Sequence, residues 1–130
     1  MRIEVRHFRA GEFYCPCCKE GSAPVAEGLV LMLELFRRAW GAPVRVNSGF
    51  RCTARNSLVG GALRSRHLIG CAADIAPVEP GLGALEDFKG MAGRLFDNRG
   101  WEFKAGPTYV HVAVPREERA RLWDGKLIAL

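Results

Sequence analysis

Alternation of apolar and other residues in "YVHVAV", residues 109–114, limits what this chain can fold into more than any other feature. Every second residue is a valine, at Val110, Val112 and Val114. A period of two predicts a β-strand with the valines on one face and His111 on the other. Because the valine face has to be covered, the strand predicts a sheet packed against helices, and His111 then faces a cleft.

The rest of the chain supplies the elements that cover this face. Apolar residues at helical spacing predict a helix that begins at Ser22 and Pro24 and ends at Gly41. Strands are predicted at 43–49 and 71–77, a second helix at 82–97, a hairpin at 101–114 and a short terminal helix at 115–123. Residues 48–66 have no clear period and predict a long loop, which in a compact domain is usually functional. The fold class is therefore α+β, with a small, mostly antiparallel sheet packed against helices.

Composition narrows the class of protein. At 130 residues the chain is predicted to be one domain, 1–130. The net charge of +5 comes from scattered basic residues and favours anionic partners such as cell-wall polymers over a dedicated nucleic-acid site. The sequence has no apolar run of about 20 residues, so we expect no membrane span. The start "MRIEVRHFRAGEF" lacks the apolar core of a signal peptide, so we expect the chain to be cytoplasmic as synthesised.

Five cysteines, an odd number, suggest reduced thiols. Cys15 and Cys18 would fit one arm of a zinc site, but only the single Cys52 and Cys71 follow. We therefore expect buried or half-buried thiols in preference to a second, structural zinc site.

Three residues suggest a metal site. Asp74 lies inside the apolar run "AADIA", where an unpaired carboxylate is costly, so it must be hydrogen-bonded, ion-paired or bound to a metal. Together with His67 and His111 it makes the two-histidine, one-carboxylate set common in catalytic zinc sites, whose fourth position is open. The alternative is a surface histidine and a capping aspartate, and spacing alone leaves both interpretations open.

Longer motifs give a resemblance to a known family. "VNSGFRC", "VGGA", "SRHLIGCAADI" and "YVHVAV" occur in that order, after an "EFYCPCC" start. They resemble the zinc D-alanyl-D-alanine carboxypeptidase family, which includes phage endolysins and L-alanyl-D-glutamate peptidases and shares its fold with the hedgehog signalling domain. The "EFYCPCC" start is similar to that of small prophage members.

The resemblance implies roles for matching positions. The zinc ligands that it implies are His67, Asp74 and His111. Arg51 would bind the substrate carboxylate or the carbonyl oxygen where negative charge develops, and its planar, permanently charged guanidinium suits either task. Ser65 and Asn56 would belong to the substrate site, Ser65 by hydrogen bonding within it and Asn56 by shaping the long loop with Gly60 and Gly61.

The positions where the family carries its general base hold other residues in this chain. Peptide hydrolysis needs a group that takes a proton from water and returns it to the leaving amine. Many relatives carry an acid three residues before the second histidine, where this chain has Thr108, or an aspartate two residues after it, where this chain has Ala113. Glu102 is the first replacement and Asp97 the second. Glu102 projects beside His111 if residue 102 pairs with 111, and faces away if residue 101 does.

The predicted function is a zinc-dependent peptidase acting on peptidoglycan stem peptides at D-amino-acid-containing amide bonds, of prophage origin. It would reach the cell wall after holin-dependent release or as part of a phage particle. The alternative is a non-catalytic zinc-binding relative that serves as a phage structural or cell-wall-binding protein. A basic nucleic-acid-binding domain is a third interpretation, which leaves the histidines and Asp74 unexplained.

Overall fold

Three α-helices and six β-strands form the regular structure of the computed structural model, which describes residues 2–18, 25–78, 82–115, 121–125 and 127–129. The helices are α1 (Glu27–Trp40), α2 (Thr53–Leu58) and α3 (Leu82–Phe96). The strands are β1 (Arg2–Ile3), β2 (Val44–Ser48), β3 (Ala72–Pro77), β4 (Glu102–Ala105), β5 (Val110–Ala113) and β6 (Ile128–Ala129). Short 3-10 helices lie at Ala10–Phe13, Arg66–Ile69 and Asp97–Arg99.

An antiparallel sheet in the order β2-β3-β5-β4 is the centre of the fold, and β1 pairs with β6 in a separate two-stranded sheet. The α+β prediction and the four predicted central strands are therefore confirmed. Asp74 of β3 lies directly opposite His111 of β5, and Ser48 of β2 lies opposite Asp74. Three neighbouring strands thus place polar residues at one point of the sheet.

The other face of the sheet packs against α1 and α3. Val110 and Val112 are fully buried, as the alternation predicts, whereas His111 between them is partly exposed. The helices contribute aromatic side chains, and the rings of Phe36 and Phe88 meet edge to face with centroids 5.1 Å apart. Burial of this apolar face fixes which side of β5 carries His111.

Helix α1 ends as predicted but begins later. Gly41 ends it with a φ of 78°, a left-handed conformation that favours glycine. The predicted cap at Ser22 and Pro24 lies outside the described residues. The described helix starts at Glu27, where the Ala26 and Glu27 N–H groups donate to the carbonyl oxygens of Gly70 and Arg121. No described helix combines the length and apolar character needed to cross a membrane.

The predicted long loop contains regular structure, which corrects the sequence-based expectation. Helix α2 has only six residues and begins at Cys52, whose Sγ accepts a hydrogen bond from the Arg55 N–H. A helix this short shows too few turns for hydrophobic periodicity to detect. Most of the predicted terminal helix, residues 116–120, lies outside the described residues. Leu122 forms an isolated bridge with Ala26 and is not helical.

A buried carboxylate fastens the N-terminal segment to α1. Glu34 is fully buried and accepts hydrogen bonds from the Arg6 and His7 N–H groups at 3.0 and 2.9 Å. Its other oxygen lies 2.7 Å from His7 Nδ1 and 2.8 Å from Arg38 Nε. These contacts fix the start of the segment that continues to the buried Phe13.

The expectation of buried or half-buried thiols is partly wrong. Cys15 and Cys71 are buried and Cys52 is half-buried, but Cys17 and Cys18 are exposed. The two exposed residues lie in a turn at the surface, which the Cys18 N–H closes by donating to the Cys15 carbonyl oxygen at 3.1 Å.

Candidate metal centre and cleft

A cleft of about 650 Å³ opens on the polar face of the sheet. Its walls come from residues 59–62 and 64–67 and from β3, β4 and β5. His67, Asp74 and His111 lie within it, together with Arg51, Ser65 and Glu102. Among the predicted metal ligands and substrate-site residues, Asn56 is the one that does not line the cleft.

The three predicted ligands converge. One ligand atom from each of His67, Asp74 and His111 lies within 4.8 Å of the others. Asp74 Oδ1 is 3.2 Å from His67 Nε2 and 2.9 Å from His111 Nδ1. The pairing of β3 with β5 brings Asp74 to His111, and the 3-10 helix at Arg66–Ile69 adds His67.

The ring of His67 is held by the backbone. Its Nδ1 donates to the Gly49 carbonyl oxygen at 2.7 Å, and the side chain is almost fully buried. Because a neutral imidazole has one N–H, this bond leaves Nε2 with its lone pair directed at Asp74. A lone pair aimed at a carboxylate oxygen is unfavourable unless a proton or a cation lies between them.

The ring of His111 faces two carboxylates. Nδ1 is directed at Asp74, while Nε2 lies 2.7 Å from Glu102 Oε1. A neutral ring can donate to only one of them. Two histidine nitrogens and one carboxylate oxygen are donors that suit a divalent metal ion, and a carboxylate on the other nitrogen is the usual support of a metal-binding histidine. The donor set therefore fits a metal.

The pKa shifts of Asp74 and His111 agree with a carboxylate that faces two imidazole rings. Burial alone would raise the pKa of Asp74, but His111 and His67, whose ring nitrogens face Asp74 Oδ1, hold it well below its usual range. Burial alone would lower the pKa of His111, but hydrogen bonds to Asp74 and Glu102 outweigh burial and raise it. Asp74 is therefore ionised at neutral pH and supplies the negative charge that a cation needs.

Arg51 enters the site from the segment between β2 and α2. Its Nη2 is 3.1 Å from Asp74 Oδ2, and its Nε donates to Ser48 Oγ at 3.0 Å. Its Nη1 is 3.4 Å from Asn56 Oδ1. Arg51 is thus fixed on three sides while its guanidinium lines the cleft, where it can meet a negatively charged group.

Asn56 and Gly61 form the support behind Arg51. Asn56 is buried, and its Nδ2 donates to the Ala62 carbonyl oxygen at 2.9 Å. A Cβ on Gly61 would collide with the Asn56 side-chain oxygen and approach Arg51 Nη1 to 3.1 Å. Any effect of Asn56 on a substrate therefore acts through Arg51 and the loop.

Ser65 holds the backbone of His67, which lies two residues further along the chain. Its Oγ accepts a hydrogen bond from the His67 N–H at 3.2 Å and begins the 3-10 helix. Ser65 also lines the cleft, so the predicted hydrogen bonding within the site agrees with its position.

The register places Glu102 beside His111 by a pairing that the sequence did not predict. Lys104 lies opposite His111, and Glu102 lies opposite Ala113. Both predicted pairings of 111, with 102 and with 101, are therefore wrong. A shift of two residues keeps side chains on the same face, so Glu102 still shares the face of His111. In the described chain, Asp74 and Glu102 are the carboxylates that line the cleft, and Asp97 lies outside it.

Two contributors were missed from the sequence. Arg66 Nη1 donates to the Val114 carbonyl oxygen at 2.6 Å and lies 3.7 Å from Glu102 Oε2, so it places positive charge beside Glu102. Ser48 accepts from Arg51. Both residues stand inside quoted motifs, next to His67 and just before the Gly-Phe-Arg segment, and that adjacency was the available signal.

A sheet with two histidines and a carboxylate converging in an open cleft defines the class of metal-dependent hydrolase sites. A family model described as Peptidase M15 matches residues 6–113, and the chain belongs to this family. The resemblance stated from the sequence is therefore confirmed.

Two of the proteins similar to this chain are peptidases. The zinc D-Ala-D-Ala carboxypeptidase of Streptomyces albus G is 42% identical over 87 residues, which cover 65% of this chain and 31% of that protein. The chain thus spans about a third of that relative's length. The crystal structure of the Serratia marcescens L-Ala D-Glu endopeptidase ChiX matches with a TM-score of 0.53 and 22% identity, covering 70% of this chain and 80% of that one. This second likeness is one of fold.

Proposed function

We propose that the chain is a zinc-dependent peptidase that hydrolyses amide bonds in peptidoglycan stem peptides containing D-amino acids. One observation carries the proposal: His67, Asp74 and His111 converge within 4.8 Å in the cleft of a Peptidase M15 family member. The activities of the two similar proteins, a D-Ala-D-Ala carboxypeptidase and an L-Ala D-Glu endopeptidase, support the class of substrate.

In this proposal His67, Asp74 and His111 hold the zinc ion. Zinc, when bound, supplies a Lewis acid that polarises the scissile carbonyl and lowers the pKa of a water molecule. The Gly49 carbonyl and Glu102 orient the two rings through their other nitrogens. Three ligands from the protein leave room for substrate and water.

The charge of the cleft suits a substrate with carboxylates. The cationic side chains that line it are Arg51, Arg64, Arg66 and Lys104, against the two acids Asp74 and Glu102. Stem peptides carry free carboxylates, and a planar guanidinium can bind one with two hydrogen bonds. In the proposal Arg51 binds such a carboxylate or the oxygen that becomes negative during the reaction.

Glu102 remains the proposed general base. Its Oε1 is used by His111, but its Oε2 lies 3.7 Å from Arg66, beyond hydrogen-bonding distance. Its side chain lines the cleft and is 47% exposed to solvent. Glu102 can therefore accept a proton from water through Oε2 and return it to the leaving amine.

The setting in which the enzyme acts is part of the proposal. We propose a prophage origin, with the protein cytoplasmic as synthesised and reaching the wall after holin-dependent release or inside a phage particle. The support is the resemblance of "EFYCPCC" to small prophage members. Expression of the chain in cells with and without a holin tests holin-dependent release. We expect the cells to lyse only when the holin is co-expressed.

A second candidate function has one observation in its favour. Thr108 lies exposed in the hairpin turn, and Ala113 is fully buried, where relatives carry acids. A relative that lacked a base would keep the metal and bind wall peptides without cleaving them. It would then serve as a phage structural or cell-wall-binding protein.

Mass spectrometry of purified muropeptides incubated with the zinc-loaded protein distinguishes the two functions. We expect a mass decrease that identifies the cleaved amide bond, with no change when His111→Ala is used. Peptide binding without any cleavage would favour the non-catalytic function. Neither binding nor cleavage would contradict both.

A further inference from the structure

Four cysteines come together in a second group that shares no residue with the His–Asp–His centre. Cys15, Cys17 and Cys18 follow the 3-10 helix at Ala10–Phe13, and Cys52 begins α2. Their four sulfur atoms all lie within 4.8 Å of one another. The fold thus unites "CPCC" with a cysteine more than thirty residues away, which supplies the partner that the sequence pattern lacked.

The distances between the sulfur atoms match metal coordination better than disulfide bonding. Cys15 Sγ is 3.4 Å from Cys17 Sγ and 3.7 Å from Cys52 Sγ. Cys17 Sγ is 3.8 Å from Cys18 Sγ and 3.0 Å from Cys52 Sγ. A disulfide needs about 2.05 Å. Four sulfurs at about 2.3 Å from a tetrahedral zinc ion lie about 3.8 Å apart.

The four thiols of the cluster differ in how readily they ionise. Burial alone would raise the pKa of Cys15, but N–H groups of Cys52 and Cys17 and the neighbouring thiols lower it to about 6. A hydrogen bond to Cys52, then one to Cys15, raises the pKa of Cys17 to about 12. Ionisation is thus favoured at Cys15 and Cys52 and opposed at Cys17 and Cys18.

We propose that Cys15, Cys17, Cys18 and Cys52 form a second metal site, which binds a structural Zn²⁺ ion through four thiolates. Binding transfers the remaining thiol protons to solvent and changes no oxidation state. Because the four sulfurs fill a tetrahedral shell, this site leaves no position for substrate, unlike the His–Asp–His centre. The site is independent of whether the chain is a peptidase.

The position of the cluster gives it a structural task. Cys52 directly follows Arg51, and the Phe50 N–H donates to the Phe13 carbonyl oxygen at 2.9 Å. Gly49 packs so closely on Phe13 that an added Cβ would lie 2.7 Å from its Cα. The Gly49 carbonyl in turn orients His67. Zinc in the cysteine site would therefore fasten the N-terminal segment against the turn that positions Arg51 and His67.

Metal analysis of the full chain, purified under reducing conditions in the presence of zinc, tests the site. We expect two zinc ions per chain in the wild type and in the control Cys71→Ser, whose cysteine lies outside the cluster. His111→Ala should keep the thiol-bound zinc. The double variant Cys17→Ser/Cys52→Ser should lose that zinc and keep the one at His67, Asp74 and His111.

Cobalt substitution identifies the ligands without relying on the double variant, which could fail to fold. In wild-type protein and in His111→Ala, Co²⁺ should produce the intense near-ultraviolet thiolate-to-cobalt bands of a sulfur-rich site. Absence of these bands would overturn the proposal. So would a disulfide among the four cysteines, detected as a loss of two hydrogens in the intact mass, or a wild type whose bound zinc disappears entirely in His111→Ala.

Discussion

Asp74 shows how much one residue can organise in this site. Its Oδ1 contacts ring nitrogens of His67 and His111, and its Oδ2 contacts Arg51 Nη2, at distances of 2.9 to 3.2 Å. A carboxylate in an apolar strand is costly unless it is paired, and here the pairing groups are those of the proposed reaction. Each of these side chains can therefore be tested separately.

Replacing Arg51 tests its part in substrate binding. Lysine keeps the charge but cannot reach Ser48, Asn56 and Asp74 together, because it lacks the planar fork. We expect Arg51→Lys to melt within a few degrees of the wild type and to lose roughly 10- to 100-fold in kcat/KM, the worth of a charged hydrogen bond. Arg64→Lys, on the exposed rim of the same cleft, is the control. Unchanged turnover with a large loss of stability would show that Arg51 serves the fold.

The proposed function gives Glu102 two separable tasks, positioning His111 and accepting a proton from water, and two substitutions distinguish them. Glutamine can still accept the hydrogen bond from His111 Nε2 but cannot accept a proton from water. If Glu102 is the base, Glu102→Gln keeps its zinc and loses about 10²–10⁴-fold in kcat. Glu102→Ala should in addition weaken zinc binding, because His111 loses its support. Full activity in Glu102→Gln would show that Glu102 only positions His111.

The sequence predicted which residues converge as candidate metal ligands but could not specify the position of Glu102. Histidine and aspartate can be recognised in a sequence motif as side chains able to bind a metal, and this applies to His67, Asp74 and His111. The place of Glu102 depends on which residue of β4 pairs with which of β5, and "KAGPT" does not determine the length of the turn. The wrong pairing still gave the correct face, because the difference is two residues.

At the scale of elements, the segment between β2 and β3 connects the fold to the site. It contains α2 and the 3-10 helix at Arg66–Ile69 and carries Arg51, Asn56, Ser65 and His67. The sequence predicted a functional loop but not its helices, since six and four residues are too short for periodicity to detect. The longer helices and the alternating strand were predictable because their apolar faces cover the core.

In this segment, an added Cβ on Gly61 would collide with the Asn56 side chain. An alanine there displaces the Asn56 side chain and with it the contact to Arg51 Nη1. We expect Gly61→Ala to fold with a small loss of stability, about 1 kcal/mol, and to show a lower kcat/KM. Gly83→Ala, where an added Cβ meets open space in α3, is the matched control. Equal kinetics in the two variants would contradict the role given to the Asn56 support.

For the whole molecule, stability and site are linked through the N-terminal segment. Glu34 holds residues 6 and 7 against α1, and Phe13 further along contacts the turn that carries Gly49. This link could not be predicted from the sequence, because a glutamate at a single position of an amphipathic helix normally faces solvent. Tertiary contacts made it a buried acceptor.

Acid unfolding tests the Glu34 contacts. Burial alone would raise the pKa of Glu34, but hydrogen bonds from His7 and Arg38 lower it. A lowered pKa in the folded state adds stability above the unfolded value of about 4.3, and this stability is lost as pH falls through the folded value. Glu34→Gln should therefore cost about 1–3 kcal/mol at pH 7 in urea unfolding and show a flatter acid limb. The exposed Glu4→Gln is the control. If the free energy of unfolding changed with pH in the same way in Glu34→Gln and wild type, the contribution assigned to the Glu34 contacts would be refuted.

The central claim is that His67, Asp74 and His111 hold a metal ion that makes the cleft a peptidase site. The measurement that tests it most directly is the rate of hydrolysis of one purified stem peptide, before metal removal, after chelation and after zinc is added back. The account predicts that turnover disappears on chelation and returns with zinc in the wild type, whereas His111→Ala stays inactive at every zinc concentration. Turnover that survives chelation, or that His111→Ala retains, would contradict it.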